Sequence, residues 1–515
     1  MPRRNVLLIV MDQFRADLLH GALAAHARMP NIRAFAREAV SFTNHYTVVN
    51  PCGPSRASML SGQYAMNHRS VRNGTPLGRD KPNLALEMRK AGYEPLLFGY
   101  TDTTADPRGL HPADPRLRSY EMPLEGFTEV LEMRLETGSL PWRASLREKG
   151  YDTPDYAHFY DPVSPDPARP ARPDDPPFYG AQDSDTAFMT DRFIAEMGER
   201  KGCGWFAMLN YIRPHPPLVA PEPYNRMFDP AALPHPVRLK TPQMEEDVHP
   251  YMRFARAYQL NGSYVRGADA AVSGRSAEDA QVLRALYLGL AAEVDAHLGR
   301  VFSHLKQSGE YDETLIVLTS DHGEMLGDHW SWGKFHFYEP AWRIPLIIRD
   351  PAHPQEFGKR VNDMTESIDL APTLLDWCGR KAAAGMDGRS LVPFLAGKGP
   401  QQWKDSAHME LDFGQPDVPT RIQRELDIPL ERANFAILRK GRHKLVHFCA
   451  PLPPLLFDLS QDPGELCNLA EDPSHAGVLL EMTQALLSHR MAHMDTTLSG
   501  MRATPAGMFG HDPLA

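Results

Sequence analysis

Residues 5–13, which read NVLLIVMDQ, decide the fold class of this chain. An apolar run without alternation predicts a strand that is buried on both faces, as in the parallel sheets of α/β proteins. The run stops at Asp12 and Gln13. Because ligands of open α/β sheets bind outside the carboxyl ends of the strands, we predict a central strand with functional side chains at its end.

A second segment repeats this pattern late in the chain. Residues 314–319 (TLIVLT) predict another buried strand, which runs into Asp321 and His322. Weaker strands are predicted at residues 95–100 and 205–209. Polar side chains therefore follow two separate strands of the predicted sheet.

A long helix is predicted between these strands, over residues 277–308. Its apolar residues recur at three- and four-residue spacing, Ser276 and Asp279 form a capping pair at its start, and Gly309 follows its end. Strands that alternate with helices predict an α/β fold with a doubly wound, mostly parallel sheet.

The pattern of apolar residues changes beyond residue 400. Short β-like runs at 435–438, 444–448 and 455–459 predict a small antiparallel C-terminal sheet, followed by a helix near 476–491 and an extended arm at 497–515. We therefore divide the chain into a catalytic domain, 1–400, and a C-terminal subdomain, 401–515. Residues 161–180 hold seven prolines and, like the proline- and histidine-rich residues 213–250, predict long surface loops.

Composition and charge narrow the class of protein. The 515 residues carry a net charge of −10, which argues against a nucleic-acid binder because such proteins need a basic surface. The five cysteines are scattered without a Cys-x-x-Cys pair, so a disulfide framework or a zinc ribbon is not expected. The N-terminal apolar run is too short for a signal sequence, and no membrane helix is predicted. We expect a cytoplasmic enzyme without a membrane partner.

The most informative motif is PCGPSRASMLSG at residues 51–62. With five cysteines, 47 prolines and no more than 55 arginines, chance gives roughly 0.05 matches to Cys-x-Pro-x-Arg. The alternative interpretation is a small buried cysteine ahead of a helix, with Pro54 in its first turn.

The two predicted strand ends have the chemistry of a metal site. Asp12 and Gln13 end one strand, and Asp321 and His322 end the other. Adjacent parallel strands would bring these four groups around one ion, and their oxygen and imidazole donors suit a divalent cation. The alternative is that Asp321-His322-Gly323 is only a polar turn.

Taken with these strand ends, the cysteine motif resembles the signature at which type I sulfatases convert cysteine to formylglycine. The chain as a whole resembles the alkaline phosphatase superfamily, in the branch that holds sulfatases and phosphonate monoester hydrolases. The similarity covers nearly all of the sequence, and it implies an alkaline-phosphatase-like fold. Further matching segments are NHR (67–69), YT (100–101), RPHPP (213–217), DHGE (321–324), GK (333–334) and the late motif at 457–469.

The resemblance implies two cofactors. Cys52 would be oxidised to formylglycine by a maturation enzyme, and its hydrate would attack sulfur or phosphorus with one hydroxyl and release the product through the other. One divalent ion, Ca²⁺ or Mn²⁺ with Zn²⁺ as a further option, would be held by Asp12, Gln13, Asp321 and His322 together with the side chain at position 52. Members of this group are oligomeric, so a homodimer or homotetramer is expected.

The resemblance also assigns roles around the nucleophile. Arg56 would bind the diol or the metal-bound oxygens, although a surface arginine is the alternative. Lys334 and His215 are candidates for the cationic or proton-donating groups, and His215 has the alternative of a loop histidine. Asn73 and Tyr100 would contact the oxyanion, with a turn and a core residue as alternatives. His68, His329 and His336 lie near the motifs and are interpreted as supporting or solvated residues.

One position departs from the phosphonate monoester hydrolase pattern. That group has threonines after the tyrosine, whereas this chain has Asp102. If Asp102 faces the pocket, its charge repels a dianionic phosphate monoester more strongly than a monoanionic ester. Sulfate monoesters and phosphonate monoesters are both monoanions, so Asp102 does not separate them.

The sequence alone thus favours a formylglycine-dependent hydrolase of sulfate monoesters that also accepts phosphonate monoesters and phosphodiesters, all small anionic esters. The alternative reverses this order and makes phosphonate monoester or phosphodiester hydrolysis the main activity. Overall resemblance favours the alternative, whereas Asp102 and Ser55, which both depart from the pattern of the phosphonate group, favour the sulfatase. A third hypothesis is a sulfatase-like binding protein in which Cys52 is never oxidised.

Overall fold

A computed structural model describes residues 4–135, 138–258, 264, 276–495 and 499–510. Its main feature is an eight-stranded sheet in the order β4-β3-β5-β1-β6-β7-β2-β8. The strands are β1 (Asn5–Met11), β2 (Val40–Tyr46), β3 (Pro95–Gly99), β4 (Thr128–Glu132), β5 (Phe206–Tyr211), β6 (Thr314–Thr319), β7 (Leu346–Arg349) and β8 (Arg360–Glu366).

Strand β1 lies in the interior of this sheet, as the opening sequence predicts. All seven of its residues are buried, and it pairs in parallel with β5 on one side and β6 on the other. Only β7 runs against its neighbours, pairing antiparallel with β6 and β2. The predicted mostly parallel α/β sheet is therefore confirmed.

Helices cover both faces of the sheet. Leu7 and Ile9 of β1 pack on one side and Leu8 and Val10 on the other, each within a large apolar cluster. The helices are α1 (Asp17–His20), α2 (Pro30–Arg37), α3 (Cys52–Ser61), α4 (Ala65–His68), α5 (Leu84–Lys90), α6 (Leu140–Glu148), α7 (Asp185–Glu199), α8 (Pro242–Val248), α9 (Pro250–Tyr258), α10 (Ala277–Ser308), α11 (Glu339–Trp342), α12 (Leu370–Trp377), α13 (Val392–Leu395), α14 (Arg421–Glu425) and α15 (Ala476–Ala492).

The long helix α10 has the predicted bounds and the predicted ends. Ser276 Oγ accepts a hydrogen bond from the backbone N–H of Asp279 at 3.1 Å, which caps the N-terminus. Gly309 ends the helix in the left-handed conformation with φ +79°, which glycine adopts without steric cost. Helix α10 packs against α2 and α7 on one face of the sheet.

A four-stranded antiparallel sheet lies in the C-terminal part of the chain, as predicted. Its order is β12-β11-β10-β9, and α15 packs on it through Met482 and Leu486. Its strands are β9 (Ser406–Asp412), β10 (Asn434–Lys440), β11 (His443–Phe448) and β12 (Leu455–Asp458). Strand β9 was not predicted from the sequence, and the domain boundary at residue 400 stays a prediction.

The extended arm at 497–515 stays a prediction, and a short hairpin lies within it. Residues 502–509 form a hairpin of β13 (Arg502–Thr504) and β14 (Gly507–Phe509), in which Thr504 pairs with Gly507 across the two-residue turn 505–506. Residues 497, 498 and 511–515 lie outside the described residues.

The proline-rich residues 161–180 contain neither helix nor strand, in agreement with the predicted surface loop. Residues 213–250 are less irregular than predicted, since helix α8 begins at Pro242 within them. None of the described helices combines the length and the apolar character needed to cross a membrane.

Candidate active site

The ends of β1 and β6 meet the first turn of α3. Asp12 follows β1, Asp321 and His322 follow β6, and Cys52 is the first residue of α3. All four side chains are buried, and each offers one ligand atom within 4.8 Å of the others. The structure therefore brings together the two predicted strand ends and the cysteine motif.

Asp12 has the environment of a metal ligand. Its Oδ2 accepts hydrogen bonds from the Tyr100 hydroxyl at 2.6 Å and from Arg56 at 3.2 Å. Its Oδ1 is buried without a hydrogen-bond partner among the described residues, and it lies 3.7 Å from His322 Nε2. A buried carboxylate oxygen left open in this way is costly unless an ion occupies the space beside it.

His322 is fixed in the tautomer that a metal requires. Its Nδ1 donates to the backbone carbonyl of Gly323 at 3.0 Å, so Nε2 carries the lone pair that faces the cluster. Burial lowers the pKa of His322 to about 4, which keeps the ring neutral at physiological pH. The ring is thus set to coordinate rather than to carry charge.

Asp321 is held by the backbone that turns around it. Its Oδ1 accepts from the N–H groups of Gln13 at 3.1 Å and His322 at 2.9 Å, and its Oδ2 accepts from Arg56 Nε at 3.1 Å. Although burial opposes ionisation, the neighbouring His322, Arg56 and Lys334 lower the pKa of Asp321. Asp321 is therefore ionised and available to a cation.

The pKa of Asp12 shifts in the opposite direction. Burial and the neighbouring Asp321 carboxylate raise the pKa of Asp12. Two carboxylates in one buried pocket repel each other, and a divalent cation between them would remove this repulsion. The donor set therefore fits a cation through its charge as well as its geometry.

Cys52 lies at the centre of the cluster. Its Sγ is 3.1 Å from His322 Nε2 and 3.2 Å from Lys334 Nζ, at the positive N-terminus of α3. Burial, and then Asp12, raise the pKa of the Cys52 thiol well above its usual range. The unmodified side chain is thus a protonated thiol, which is a poor nucleophile.

Lys334 connects three predicted site residues. Its ammonium donates to Gln13 Oε1 at 2.8 Å, to Cys52 Sγ at 3.2 Å and to His215 Nε2 at 3.1 Å. Burial alone would lower the pKa of Lys334, but Cys52 and the nearby aspartates raise it. Lys334 is therefore charged, beside Cys52 and His215.

His215 is a neutral partner of Lys334. Its Nδ1 donates to the carbonyl of Pro216 at 2.6 Å, so Nε2 accepts from the Lys334 ammonium. Burial and Lys334 lower the pKa of His215 to about 3. Of the two candidate cations, the structure makes Lys334 the charged group and His215 the acceptor that holds it.

Arg56 is fully buried and makes its contacts with protein groups. It binds both cluster carboxylates, Asp12 and Asp321, and Asn210 Oδ1 at 2.8 Å, while its guanidinium lies 4.3 Å from the centre of the Tyr100 ring. The surface-arginine alternative is wrong. Arg56 bridges the two carboxylates rather than pointing into open space.

Asn73 and Tyr100 bind protein groups rather than an open pocket. Asn73 is exposed, and its Oδ1 accepts from the backbone N–H of Gly53 at 2.9 Å. Tyr100 donates to Asp12 as described above. In this structure Asn73 stabilises the residue after Cys52 and Tyr100 stabilises Asp12, and their contact with an oxyanion stays a prediction.

Asp102 faces the cluster from the loop after β3. It is buried, its Oδ2 lies 3.6 Å from Arg56 Nε, and its backbone has φ +49°. Gln13 also has a positive φ, of 64°, so the backbone is strained on both sides of the cluster. Burial raises the pKa of Asp102 well above its usual range.

The three histidines near the motifs are all buried, so the solvated interpretation is wrong for them. His68 accepts the backbone N–H of Ser70 on Nδ1 and bonds Ser58 through Nε2, at 3.0 and 2.8 Å. His329 lies 3.2 Å from Glu245. These contacts stabilise the segments that flank the cluster.

Sequence reasoning missed two residues that complete the site. Asn210, near the end of β5, accepts from Arg56, and Glu324 accepts from the side-chain amide of Gln13. Asn210 follows the same rule of polar residues at strand ends and could have been found with it. Glu324 was seen only as part of the 321–324 motif, because its partner is 311 residues away in sequence.

Comparisons with known proteins agree with this geometry. The sulfatase family profile matches residues 4–380, and the profile of the N-sulphoglucosamine sulphohydrolase C-terminal region matches 327–492. The phosphonate monoester hydrolase of Silicibacter pomeroyi is 53% identical, with a TM-score of 0.95 and 99% coverage of both chains. That of Agrobacterium radiobacter is 41% identical, with a TM-score of 0.94, covering 99% of this chain and 100% of its own.

A curated relative agrees as well. The multifunctional alkaline phosphatase superfamily protein PehA of Trinickia caryophylli is 39% identical over 99% of both chains. The fold and the cluster thus define a hydrolase of the alkaline phosphatase superfamily. Within that superfamily, the chain belongs to the sulfatase family.

Proposed function

We propose that this protein is a metal- and formylglycine-dependent hydrolase whose main substrates are phosphonate monoesters and phosphodiesters. The observation that carries the proposal is the buried cluster of Asp12, Cys52, Asp321 and His322, in a chain similar along its length to two phosphonate monoester hydrolases. The sequence alone placed sulfate monoesters first. The relatives favour the reverse order, with sulfate monoesters as further substrates.

One divalent ion is proposed to bind Asp12, Gln13, Asp321 and His322 beside position 52. Two carboxylates, an amide oxygen and one imidazole suit Ca²⁺ or Mn²⁺, and the imidazole also permits Zn²⁺. The open Asp12 Oδ1 and the His322 Nε2 lone pair support this assignment. When bound, such an ion supplies Lewis acidity to the ester being cleaved.

Cys52 is proposed to be converted to formylglycine by a maturation enzyme. The hydrated aldehyde supplies a hydroxyl nucleophile and a second hydroxyl through which the covalent ester breaks down. The raised pKa of the buried thiol supports this proposal, because unmodified Cys52 has little thiolate with which to attack an ester.

The chain's own residues orient and stabilise the anionic ester. A phosphonate that approaches position 52 meets the Lys334 ammonium, 3.2 Å from that side chain, and the positive N-terminus of α3. His215 holds Lys334 by accepting one of its protons in a hydrogen bond. Lys334 can therefore stabilise the charge that builds up on the transferring group or on the leaving oxygen.

Asp102 is proposed to select monoanionic esters. Its carboxyl group faces Arg56 and lies close enough to Cys52 to raise the pKa of the thiol. Burial opposes ionisation of Asp102, but the Arg56 guanidinium 3.6 Å away lowers its pKa and so favours the charged form. Where Asp102 is ionised, it repels a second negative charge on the substrate. Phosphonate monoesters, phosphodiesters and sulfate monoesters all carry one charge and avoid this repulsion.

Self-association is proposed for the C-terminal region. Leu480, Leu487 and Met491 are exposed on α15, and Met508 and Phe509 are exposed on the terminal hairpin. Leu480, Leu487 and Met491 are seven and four residues apart, so they share one face of α15, and an exposed apolar face is typical of a surface that a partner covers. A homodimer or homotetramer would cover them, and no nucleic-acid or membrane partner is proposed.

Two other functions are weighed against this proposal. The match to the sulfatase profile and Ser55 favour sulfate monoesters as the main substrates. A non-catalytic binding protein would have no need of Lys334 beside position 52, so the retained site argues against it.

The test compares kcat/KM for an aryl phosphonate monoester, an aryl phosphodiester and an aryl sulfate on one Mn²⁺-loaded preparation. The protein is coexpressed with a formylglycine-generating enzyme, and the aldehyde is quantified on the Cys52 peptide by mass spectrometry. We expect the phosphonate to be preferred over the sulfate by at least about tenfold. A preference for the sulfate contradicts the order, and a fully converted but inactive protein contradicts hydrolysis itself.

A further inference from the structure

Glu324 is a buried carboxylate beyond the Asp321-His322 turn that no step of the proposed reaction uses. It is 1% exposed, and four donors converge on it. Its Oε1 accepts from the backbone N–H groups of Leu326 at 2.8 Å and Gly333 at 2.6 Å. Its Oε2 accepts from the Tyr264 hydroxyl at 3.1 Å and from Gln13 Nε2.

The side-chain amide of Gln13 lies between Glu324 and Lys334. Its Nε2 donates to the Glu324 carboxylate, and its Oε1 accepts from the Lys334 ammonium at 2.8 Å. An ionised carboxylate can only accept hydrogen bonds, and an ammonium can only donate them. These two neighbours therefore permit one orientation of the amide, with Oε1 on the side of the cluster.

Glu324 also forms hydrogen bonds with the loop that leads to Lys334. The two N–H groups bound to Oε1 belong to Leu326 and Gly333, near the two ends of the 325–333 loop. The loop includes non-glycine residues with positive φ at 326, 329 and 330, so it needs support to keep its shape. Lys334 follows Gly333 directly.

We propose that Glu324 is a positioning residue that orients the Gln13 amide with its oxygen toward the metal and anchors the loop that carries Lys334. The inference rests on the proposed metal centre. It predicts that the carboxylate of Glu324 sets metal affinity through Gln13, although Glu324 is not itself a ligand.

Glu324→Gln is the sharpest variant, because it keeps the shape of the side chain. Two backbone donors hold the new amide with its oxygen toward Leu326 and Gly333, so its NH₂ group faces Gln13. The Gln13 amide then has two possible orientations. In the first, its NH₂ group faces the new NH₂ group at position 324. In the second, the amide flips and its NH₂ group faces Lys334 and the metal. The first orientation places two hydrogen-bond donors against each other, and the second turns the Gln13 oxygen away from the metal. Mn²⁺ affinity should therefore fall by at least about tenfold.

A double-mutant cycle separates orientation from the loss of one charge. Gln13→Glu in the Glu324→Gln background exchanges the carboxylate and the amide, so every hydrogen bond can form again. We expect the gain in Mn²⁺ affinity from Gln13→Glu to be at least about tenfold larger in that background than beside Glu324. Equal gains in the two backgrounds would mean that only charge matters, and would overturn the inference.

Isothermal titration of the metal-stripped proteins with Mn²⁺ gives these affinities without any need for activity. Glu410→Gln is the matched control, since Glu410 is also buried and accepts a backbone N–H, from Met66. It should bind Mn²⁺ within about twofold of the unsubstituted protein. Unsubstituted protein that binds no Mn²⁺ overturns the metal centre and this inference together, whereas unchanged binding by Glu324→Gln overturns the inference alone.

The unsubstituted protein provides a readout if Glu324→Gln does not fold. In its Mn²⁺-loaded crystal structure we expect Gln13 to span the ion and Glu324, with its NH₂ group at hydrogen-bond distance from the carboxylate. A Gln13 side chain that does not contact Glu324 in that structure would overturn the inference.

Discussion

Two buried ionic clusters lie at the carboxyl ends of parallel strands of the large sheet, and they differ in how their carboxylate oxygens are hydrogen-bonded. The first follows β1 and β6, which are parallel. The second follows β8, which ends at Glu366 and also runs parallel to β6 through its pairing with β2 and β7. Each cluster holds two carboxylates and a lysine, Lys334 in the first and Lys404 in the second.

The second cluster is closed by its own partners. Lys404 Nζ lies 2.6 Å from Glu366 and 2.8 Å from Asp369, and the backbone N–H groups of Glu366 and Arg389 donate to the two Asp369 oxygens. Tyr64 and the N–H of His408 donate to the two Glu366 oxygens.

In the first cluster, by contrast, Asp12 Oδ1 is left open among the described residues, and the lone pair of His322 Nε2 faces Cys52 Sγ at 3.1 Å. Carboxylates at strand ends therefore do not by themselves distinguish a metal site from a structural ion pair. The first cluster differs in that its open carboxylate oxygen lies beside a second carboxylate and a neutral imidazole nitrogen.

Cys52→Ala should produce the largest functional change, and it leaves the carboxylates and the lysine of both clusters in place. Without the sulfur atom no formylglycine can form, so kcat/KM for the aryl phosphonate should fall by about 10³-fold or more. Steady-state kinetics measure this loss, and circular dichroism checks that the fold persists. Activity within tenfold of the unsubstituted protein would show that the proposed nucleophile is wrong.

Lys404→Met tests whether the closed cluster is structural. It leaves two buried carboxylates without a cation, so the free energy of unfolding should fall by about 3–5 kcal/mol. Urea denaturation measures the loss. Mn²⁺ affinity of the folded variant should stay within about twofold, and a large loss of affinity would contradict the separation of the two clusters.

Asp12→Asn tests whether the first cluster binds metal rather than stabilising the fold. It replaces a buried carboxyl group, whose pKa is raised by burial and by Asp321, with a neutral amide. Mn²⁺ affinity should fall by about 100-fold, whereas the metal-free protein should unfold at nearly the same urea concentration. Calorimetric titration and denaturation are measured on the same preparation. A large loss of stability with unchanged affinity would reverse the roles assigned to the two clusters.

Glu293 shows what happens to a buried carboxyl group that has neither a metal nor a lysine. Burial, and then Asp185, raise its pKa to about 8 from an ordinary 4.5. Between these values the folded state holds a proton that the unfolded state has released, so stability falls as pH rises.

Glu293→Gln should remove this pH dependence. Its advantage in free energy of unfolding over the unsubstituted protein should grow by about 1.4 kcal/mol per pH unit between pH 5 and 8. Denaturation at several pH values measures the slope. An advantage that does not change with pH would mean that Glu293 is already ionised in the folded protein.

Asp102→Asn should have the smallest effect, because it changes selectivity rather than the cluster itself. Removing this carboxylate should raise kcat/KM for a dianionic aryl phosphate relative to the monoanionic phosphodiester by about tenfold. Competition between the two substrates measures the ratio directly. An unchanged ratio would show that Asp102 is neutral in the working enzyme or lies outside the substrate's reach.

The sequence predicted the fold where apolar runs are uniform. Strands β1 and β6 are buried on both faces and read as continuous apolar segments. Strand β8 was missed because it is the sheet's edge strand and reads RVNDMTE, with several exposed residues. Edge strands bury less of their surface, so their patterns carry less information about the fold.

The candidate site could be predicted only where its residues follow strands that are clear in the sequence. Asp12, Asp321 and His322 directly follow the clear strands, so their convergence could be inferred from topology. The open state of Asp12 Oδ1 and the anchoring of Gln13 by Glu324 depend on side-chain partners that are distant in sequence. No local pattern encodes such contacts, and the same holds for the closure of the Lys404 cluster.

The most direct test of the contrast between the clusters is the position of bound Mn²⁺. Anomalous scattering from crystals of the unsubstituted protein grown with Mn²⁺ locates the ion independently of any ligand assignment. We expect one peak between Asp12, Asp321 and His322 and none beside Lys404. A peak at Glu366 and Asp369, or no peak at the open cluster, would contradict the assignment.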